Sequence, residues 1–179
     1  MFRLPLARAR LELRALDMGD LEHHHRLFGD PSVVRYLSEA PPSRERAAAH
    51  LANRLDPDLP AEGEWLNLAV VHQGRFPGEV GASLRNTEHR QCEVGSSFMP
   101  EARGHGFATE SAAAMVQLCF DHLDAHRVTA RLDARNTASA AVAPRLGMRH
   151  EAHLREIEWV EGEYVDEAVF ALIVNEWRR

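Results

Sequence analysis

The sequence predicts an α/β chain of the α+β kind, a mixed central sheet with helices on both faces. Three observations predict it. Apolar residues alternate with strand period at Leu66, Leu68 and Val70 and again at Val128, Ala130 and Leu132. Between the strands at Cys92–Met99 and Val128–Leu132, the spacing of Ala108, Ala112, Met115, Cys119 and Leu123 is that of a helix. Turn-bearing segments on either side, at His72–Gly78 and Glu161-Gly162, pair the flanking strands as hairpins. A strand–helix–strand order through 92–133 needs a crossover, so those two strands are expected to be parallel.

Taken in order, Leu11 and Leu13 belong to a first strand. Asp17-Met18-Gly19-Asp20 supplies turn and capping chemistry before a helix through Leu21, Leu27 and Phe28. Asp30-Pro31 starts a turn, and Val33, Val34, Tyr36 and Leu37 predict a short helical piece. After Pro41-Pro42, Ser43 caps a helix that ends near Leu55. The stretch from Asp56 to Gly63 is a loop. Strands follow from Trp65, over Val80–Leu84 and over Cys92–Met99. A short helix after Asn136 stops at Gly147, a fitting terminator, although Pro144 should kink or shorten it. Two last strands flank Glu161-Gly162 and run to Ile173.

At 179 residues the whole chain, 1–179, suits one domain. A net charge of −6 argues against a nucleic-acid partner. No apolar run has the length of a membrane span, and the N-terminus lacks the apolar core of a secretory signal. Cys92 and Cys119 form no framework and read as small buried side chains. A cytoplasmic protein without a metal is expected. His23, His24 and His25 point about 100° apart on a helix and cannot easily converge on an ion, so they read as surface residues.

The most informative stretch runs from Phe98 to Thr109. A strand ends, Gly104 and Gly106 free the backbone of a loop, and a helix starts at once. Converging N–H groups and the positive end of the helix dipole make a site for phosphate oxygens, and a diphosphate in particular. No Gly-Lys-Ser/Thr run follows, which sets aside a P-loop. Too little chain follows Asp133 for a doubly wound dinucleotide domain.

Arg103-Gly104-His105-Gly106-Phe107-Ala108 resembles the acetyl-CoA signature of the GNAT N-acetyltransferases, Gln/Arg-x-x-Gly-x-Gly/Ala. The resemblance continues through His126-Arg127-Val128, Asn136-Thr137-Ala138-Ser139 and Leu146-Gly147-Met148. It reaches back to Leu11-Glu12-Leu13-Arg14 and forward to Gly162-Glu163-Tyr164. The best match is the RimJ/RimL-like branch, similar to ribosomal-protein N-terminal acetyltransferases. That likeness implies a mostly antiparallel sheet with a parallel pair around the cofactor site.

It also implies acetyl-CoA as co-substrate, with the pyrophosphate held by Arg103, Gly104, His105, Gly106, Phe107, Ala108 and Thr109. The pantetheine arm would lie along Phe98 and Met99 and be hydrogen-bonded by Asn136. Ser139 stands where many members place the group that protonates the leaving thiolate. Asn and Ser are equally good helix caps. The implied acceptor is a protein N-terminus or an amine-bearing small molecule such as a polyamine or antibiotic, and a homodimer is compatible with it. An acyl-CoA-binding module without turnover would carry the same cofactor loop.

The chemistry needs a neutral amine, and an α-amine with a pKa of about 7.7–8.0 needs far less deprotonation than a lysine near 10.4. Glu93, on the strand entering the loop, is the candidate general base, although an ion-paired strand residue would look the same. Glu101, in the loop, reads as a solvent-exposed carboxylate, whereas Glu156, Glu158 and Glu163 could line a substrate groove from the final strands. Arg145 could meet nucleotide phosphates or cover a helix. Trp65 and Trp159 read as packing residues, with lining of the acceptor site as the alternative.

Overall fold

Eight stretches of extended chain assemble into one sheet: β1 (Leu6–Ala7), β2 (Glu12–Ala15), β3 (Trp65–His72), β4 (Arg75–Asn86), β5 (Gln91–Phe98), β6 (Arg127–Asp133), β7 (Arg149–Val160) and β8 (Glu163–Ile173). The computed structural model describes residues 4–7, 9–37, 40–56, 58–160 and 162–177. The strand order is β1-β2-β3-β4-β5-β6-β8-β7. Neighbours are antiparallel except β5 and β6, which pair in parallel as the crossover requires.

That crossover is α4 (Phe107–His122), whose Ala112, Met115, Val116 and Cys119 are buried against β4 and β5. On the other face lie α1 (Leu21–Gly29), α2 (Pro31–Val34) and α3 (Arg44–Ala52), with Leu27, Phe28, Ala47 and Leu51 buried. Full burial of a leucine such as Leu27 stabilises by about 1.5–3 kcal/mol. Short helices α5 (Thr137–Ala140) and α6 (Val174–Trp177) follow β6 and β8. Cys92 and Cys119 are both buried and unbridged.

Several expectations are sharpened. The turn after β3 is only Gln73-Gly74, both at positive φ (50° and 73°), so β4 begins at Arg75 rather than Val80. The helix after Asn136 is split: α5 ends at Ala140 and a 3₁₀ turn occupies Ala143–Leu146, with Pro144 in its first turn. Proline cannot donate an α-helical hydrogen bond, and the tighter turn absorbs the break. Gly147 (φ 81°) then terminates it. Glu161 lies outside the described residues, and Gly162 beside it has φ 94°. Trp65 and Trp159 do not serve as core packing: they are 38% and 61% exposed. Among the described residues no helix is long and apolar enough to cross a membrane.

Asp20 closes a capping box with Asp17 and takes both Arg14 guanidinium nitrogens, at 2.7 and 2.6 Å. Burial opposes its charge, but Arg14 and the Asp17 N–H outweigh burial and hold its pKa below the ordinary value. Its contribution is therefore present above the unfolded pKa of about 3.9 and lost as pH falls through the lower folded value. Asp20→Asn should cost about 1 kcal/mol at pH 7, after allowing for solvent screening of Arg14. Urea midpoints at pH 7 and below pH 4 check this, since the difference from wild type should shrink in acid.

Candidate active site

β5 and β6 are hydrogen-bonded only at their first residues, Gln91 to Arg127, Cys92 to Val128 and Glu93 to Thr129. Beyond Glu93 the strands diverge, because β6 continues along β8 as far as Asp133 while β5 stays with β4 to Phe98. The Thr129 hydroxyl donates to the Cys92 carbonyl at 3.1 Å at the base of the opening. A cleft of ≈ 1470 Å³ runs through it, between Val94–Phe98 on one side and Ala130–Asp133 on the other. A single small-molecule site typically has about 300–1,000 Å³, so this cleft has room for two reactants.

One end of the cleft is the glycine loop. Gly104 and Gly106 hold φ of 79° and 81°, and nothing stands within 4 Å of a Cβ added at Gly104. Gly106 is the N-cap of α4 and offers no side chain to its first N–H groups. Those groups at Phe107, Ala108 and Thr109 thus open into the cleft with the positive end of a helix of 16 residues behind them. Arg10 braces the loop: its Nη1 donates to the His105 carbonyl at 3.1 Å and its Nε to Glu110 at 3.0 Å. Burial works against the Glu110 charge, yet the Arg10 N–H and guanidinium keep its pKa lowered. Arg103 also lines the cleft, with Nη2 donating to the Ser32 carbonyl and hydroxyl at 3.1 Å. This combination suits a diphosphate: a cradle without side chains, uncapped N–H groups and an adjacent cation.

Some candidates are placed otherwise. Phe98 lines the cleft, whereas Met99 is buried and its N–H donates to the Pro77 carbonyl at 2.9 Å. The Met99 N–H is therefore engaged within the sheet. The His105 ring lies over Phe107 with Nδ1 2.9 Å from the Arg103 carbonyl, outside the cleft lining. Asn136 and Ser139 both line the cleft. Asn136 Oδ1 accepts from the Ser139 N–H at 3.1 Å and so caps α5, which leaves its amide nitrogen as the group that could donate to a ligand. Arg145 also reaches the lining despite the break at Pro144.

Glu93 sits where β5 is still bonded to β6, 3.4 Å from Arg85, and does not line the cleft. Burial pushes its carboxyl above the ordinary range, against the pull of Arg85 and Arg131. A different carboxylate stands over the opening. Glu79 of β4 lies directly across from Ser97 and is 2% exposed. Its Oε1 is 2.5 Å from Nδ1 of His24, which is fully buried and not the surface residue expected from the sequence. His24 Nε2 is 3.0 Å from His50 Nδ1, and Arg54 Nε donates to His50 Nε2 at 3.1 Å. The Arg54 Nη1 reaches Asn67 Oδ1 at 3.2 Å and Glu79 Oε2 at 3.4 Å. His50, Arg54, Asn67 and Glu79 all line the cleft. Beside them Trp65 lies over Gly81 and Gly95, whose added Cβ atoms would stand 3.2 and 3.6 Å from its ring. Among the described residues no group of His, Cys, Asp and Glu is arranged to hold a metal ion.

A sheet opened between two parallel strands lies over a helix N-terminus that can take a diphosphate, and the family match identifies the protein as an acetyl-CoA-dependent N-acetyltransferase. The chain belongs to the acetyltransferase (GNAT) domain family, which it matches over residues 10–149. It is similar to an acetyltransferase of that family from Bacillus anthracis, with a TM-score of 0.86 and 25% identity over 97% of this chain and 100% of the other. It is 27% identical to the spermidine N(1)-acetyltransferase of Escherichia coli K12 over 154 residues, 86% of this chain and 81% of the relative. The ribosomal L7/L12 α-N-protein acetyltransferase RimL shares its fold, with a TM-score of 0.82 at 21% identity over 96% and 94% of the two chains.

Proposed function

We propose that this chain, acting as one domain, acetylates the α-amine of a protein or peptide by direct attack on acetyl-CoA, in the manner of the RimJ/RimL-like branch. The observation that carries the reading is the divergence of β5 from β6 beyond Glu93, which leads straight to the uncapped start of α4. Pantetheine would lie along the edge of β5 from Ser96 to Phe98, with Asn136 donating from the opposite wall. The pyrophosphate would sit on the N–H groups from Gly104 to Thr109. Ser139, half-buried on that wall, would return a proton to the thiolate. Holding both reactants in one cleft supplies much of the remaining rate.

The acceptor half of the cleft supports a peptide. Arg54, which donates to Asn67 and is ion-paired with Glu79 beside the opening, brings to the cleft the kind of N–H group that suits peptide carbonyls. The kinship with a spermidine acetyltransferase supports a second reading, a polyamine acceptor, for which Asp56 and Glu64 on the cleft lining would supply the charge. Calorimetry with acetyl-CoA, followed by thiol release with a free-amine peptide, the same peptide Nα-blocked, and spermidine, decides among them. Release with the free peptide alone is the expected result. Release with spermidine alone selects the second reading, and binding without release on any amine leaves a binding module. Ser139→Ala should lower kcat by about 10²-fold while leaving acetyl-CoA affinity unchanged, which single-turnover kinetics and calorimetry check together.

A further inference from the structure

Glu79, His24, His50 and Arg54 form a chain of hydrogen bonds whose direction is fixed by its last member. Arg54 Nε carries a hydrogen and has no lone pair to offer, so it can only donate. His50 Nε2, 3.1 Å away, must therefore accept and carries no proton. The single hydrogen of a neutral His50 ring then lies on Nδ1 and is donated to His24 Nε2 at 3.0 Å. His24 in turn keeps its hydrogen on Nδ1 and donates it to Glu79 Oε1 at 2.5 Å. Every bond points the same way, from the cleft surface to a buried carboxylate. His24 is fully enclosed, whereas His50 and Glu79 on either side of it both line the cleft.

We propose that this chain is the proton acceptor for the attacking amine, with His50 as the catalytic residue and His24 and Glu79 as the positioning residues behind it. The inference rests on the amine-acetylation reading above. Arg54 Nε marks the place an N–H donor takes at His50 Nε2, and an acceptor ammonium occupies that place when Arg54 turns towards the acceptor's carbonyl. The ammonium gives one proton to His50 Nε2, His50 passes its Nδ1 proton to His24 Nε2, and His24 passes its Nδ1 proton to Glu79 Oε1. One positive and one negative charge disappear, and both rings remain neutral with their hydrogens moved to Nε2. The amine lone pair then forms the C–N bond, and the C–S bond breaks with its electron pair on sulfur. A second amine proton restores the thiol. The reverse passage along the chain returns the stored proton to solvent.

The arrangement explains a buried carboxylate and a buried histidine that the cofactor loop does not use. It also accounts for their place: Glu79 pairs with Ser97, on the part of β5 that has left β6. Glu93, by contrast, is tied beside Arg85 at the closed end.

Two measurements test it. Nitrogen-15 spectra of the free protein should show both His24 and His50 as Nδ1–H tautomers, in wild type and in Glu79→Gln alike, because the glutamine oxygen still accepts from His24. Steady-state kinetics with acetyl-CoA and a peptide bearing a free N-terminal amine should then separate structure from chemistry. Glu79→Gln keeps the hydrogen bond but cannot store the proton, so kcat should fall about 10²-fold with KM for acetyl-CoA unchanged. His50→Gly should fall at least as far and recover with added imidazole. Nε2–H tautomers overturn the chain, as does Glu79→Gln with wild-type kcat or a His50→Gly variant that imidazole does not restore. A wild type that transfers to no amine overturns the acetylation reading itself, and the relay falls with it.

Discussion

Gly106→Trp is expected to abolish acetyl-CoA binding in a protein that still folds. Gly106 sits at φ 81° as the N-cap of α4, 3.4 Å from Arg10 Nη2 by way of an added Cβ. An indole placed there would fill the space in front of the Phe107–Thr109 N–H groups and push Arg10 from the loop. Hydrogen bonds to a charged partner contribute about 1.5–3 kcal/mol each. Losing two of them weakens binding by roughly 10²- to 10⁴-fold. Backbone strain alone does not give this result, and Gly74→Ala provides the comparison: Gly74 has φ 73° with nothing within 4 Å of an added Cβ. That variant should lose about 1–2 kcal/mol of stability and bind acetyl-CoA as wild type does. Calorimetry on both proteins checks the pair. Retained binding in Gly106→Trp would remove the glycine loop from the cofactor site.

The glycine loop before α4 was readable because its signal is local. Glycines at a strand–helix junction, and a helical spacing that begins at Phe107, are properties of adjacent residues. The parallel pair was readable for the same reason, since a crossover follows from element order. What was not readable depends on which residues the fold brings together. His24 lies three residues after Leu21 and three before Leu27, so it occupies the apolar stripe of α1, and that spacing was the available signal that it is buried. The three adjacent histidines read as a helical surface instead. Glu79 sits among small and apolar residues between Phe76 and Leu84, and nothing local says that a histidine 55 positions earlier will meet it. His50 and Arg54 are one helical turn apart and face the cleft only because α3 packs on that side of β4.

Glu93 shows the opposite case. Its position on the strand leading to the loop was read correctly, but its register was not visible. Three bonded positions between β5 and β6 separate an opened strand from a closed one, and Glu93 is the last of them. Its raised pKa comes first from burial and so is no sign of a catalytic role.

Among the glycines, the largest loss of stability from a single added methyl group is expected at Gly78 in β4. An added Cβ would stand 2.2 Å from the Ser97 carbonyl oxygen and 2.9 Å from the Phe98 Cα. Both are backbone atoms, so no rotamer change relieves the contact and the strands themselves must separate. Gly78→Ala should therefore cost about 3 kcal/mol. The damage falls on the segment of β5 that forms one wall of the cleft, so acetyl-CoA affinity should fall in the fraction that remains folded. Ser83→Ala, five residues along the same strand, makes the contrast. The Ser83 hydroxyl is fully buried and has no hydrogen-bond partner among the described residues. Removing an unsatisfied polar group leaves stability unchanged or raises it by up to about 1 kcal/mol. Urea denaturation with equal slopes should thus place the two midpoints on opposite sides of wild type, or Ser83→Ala level with it. A Gly78→Ala midpoint at the wild-type value would mean that β4 and β5 can part beside the cleft at little cost. The wall of the cofactor site would then be adjustable rather than fixed by the sheet.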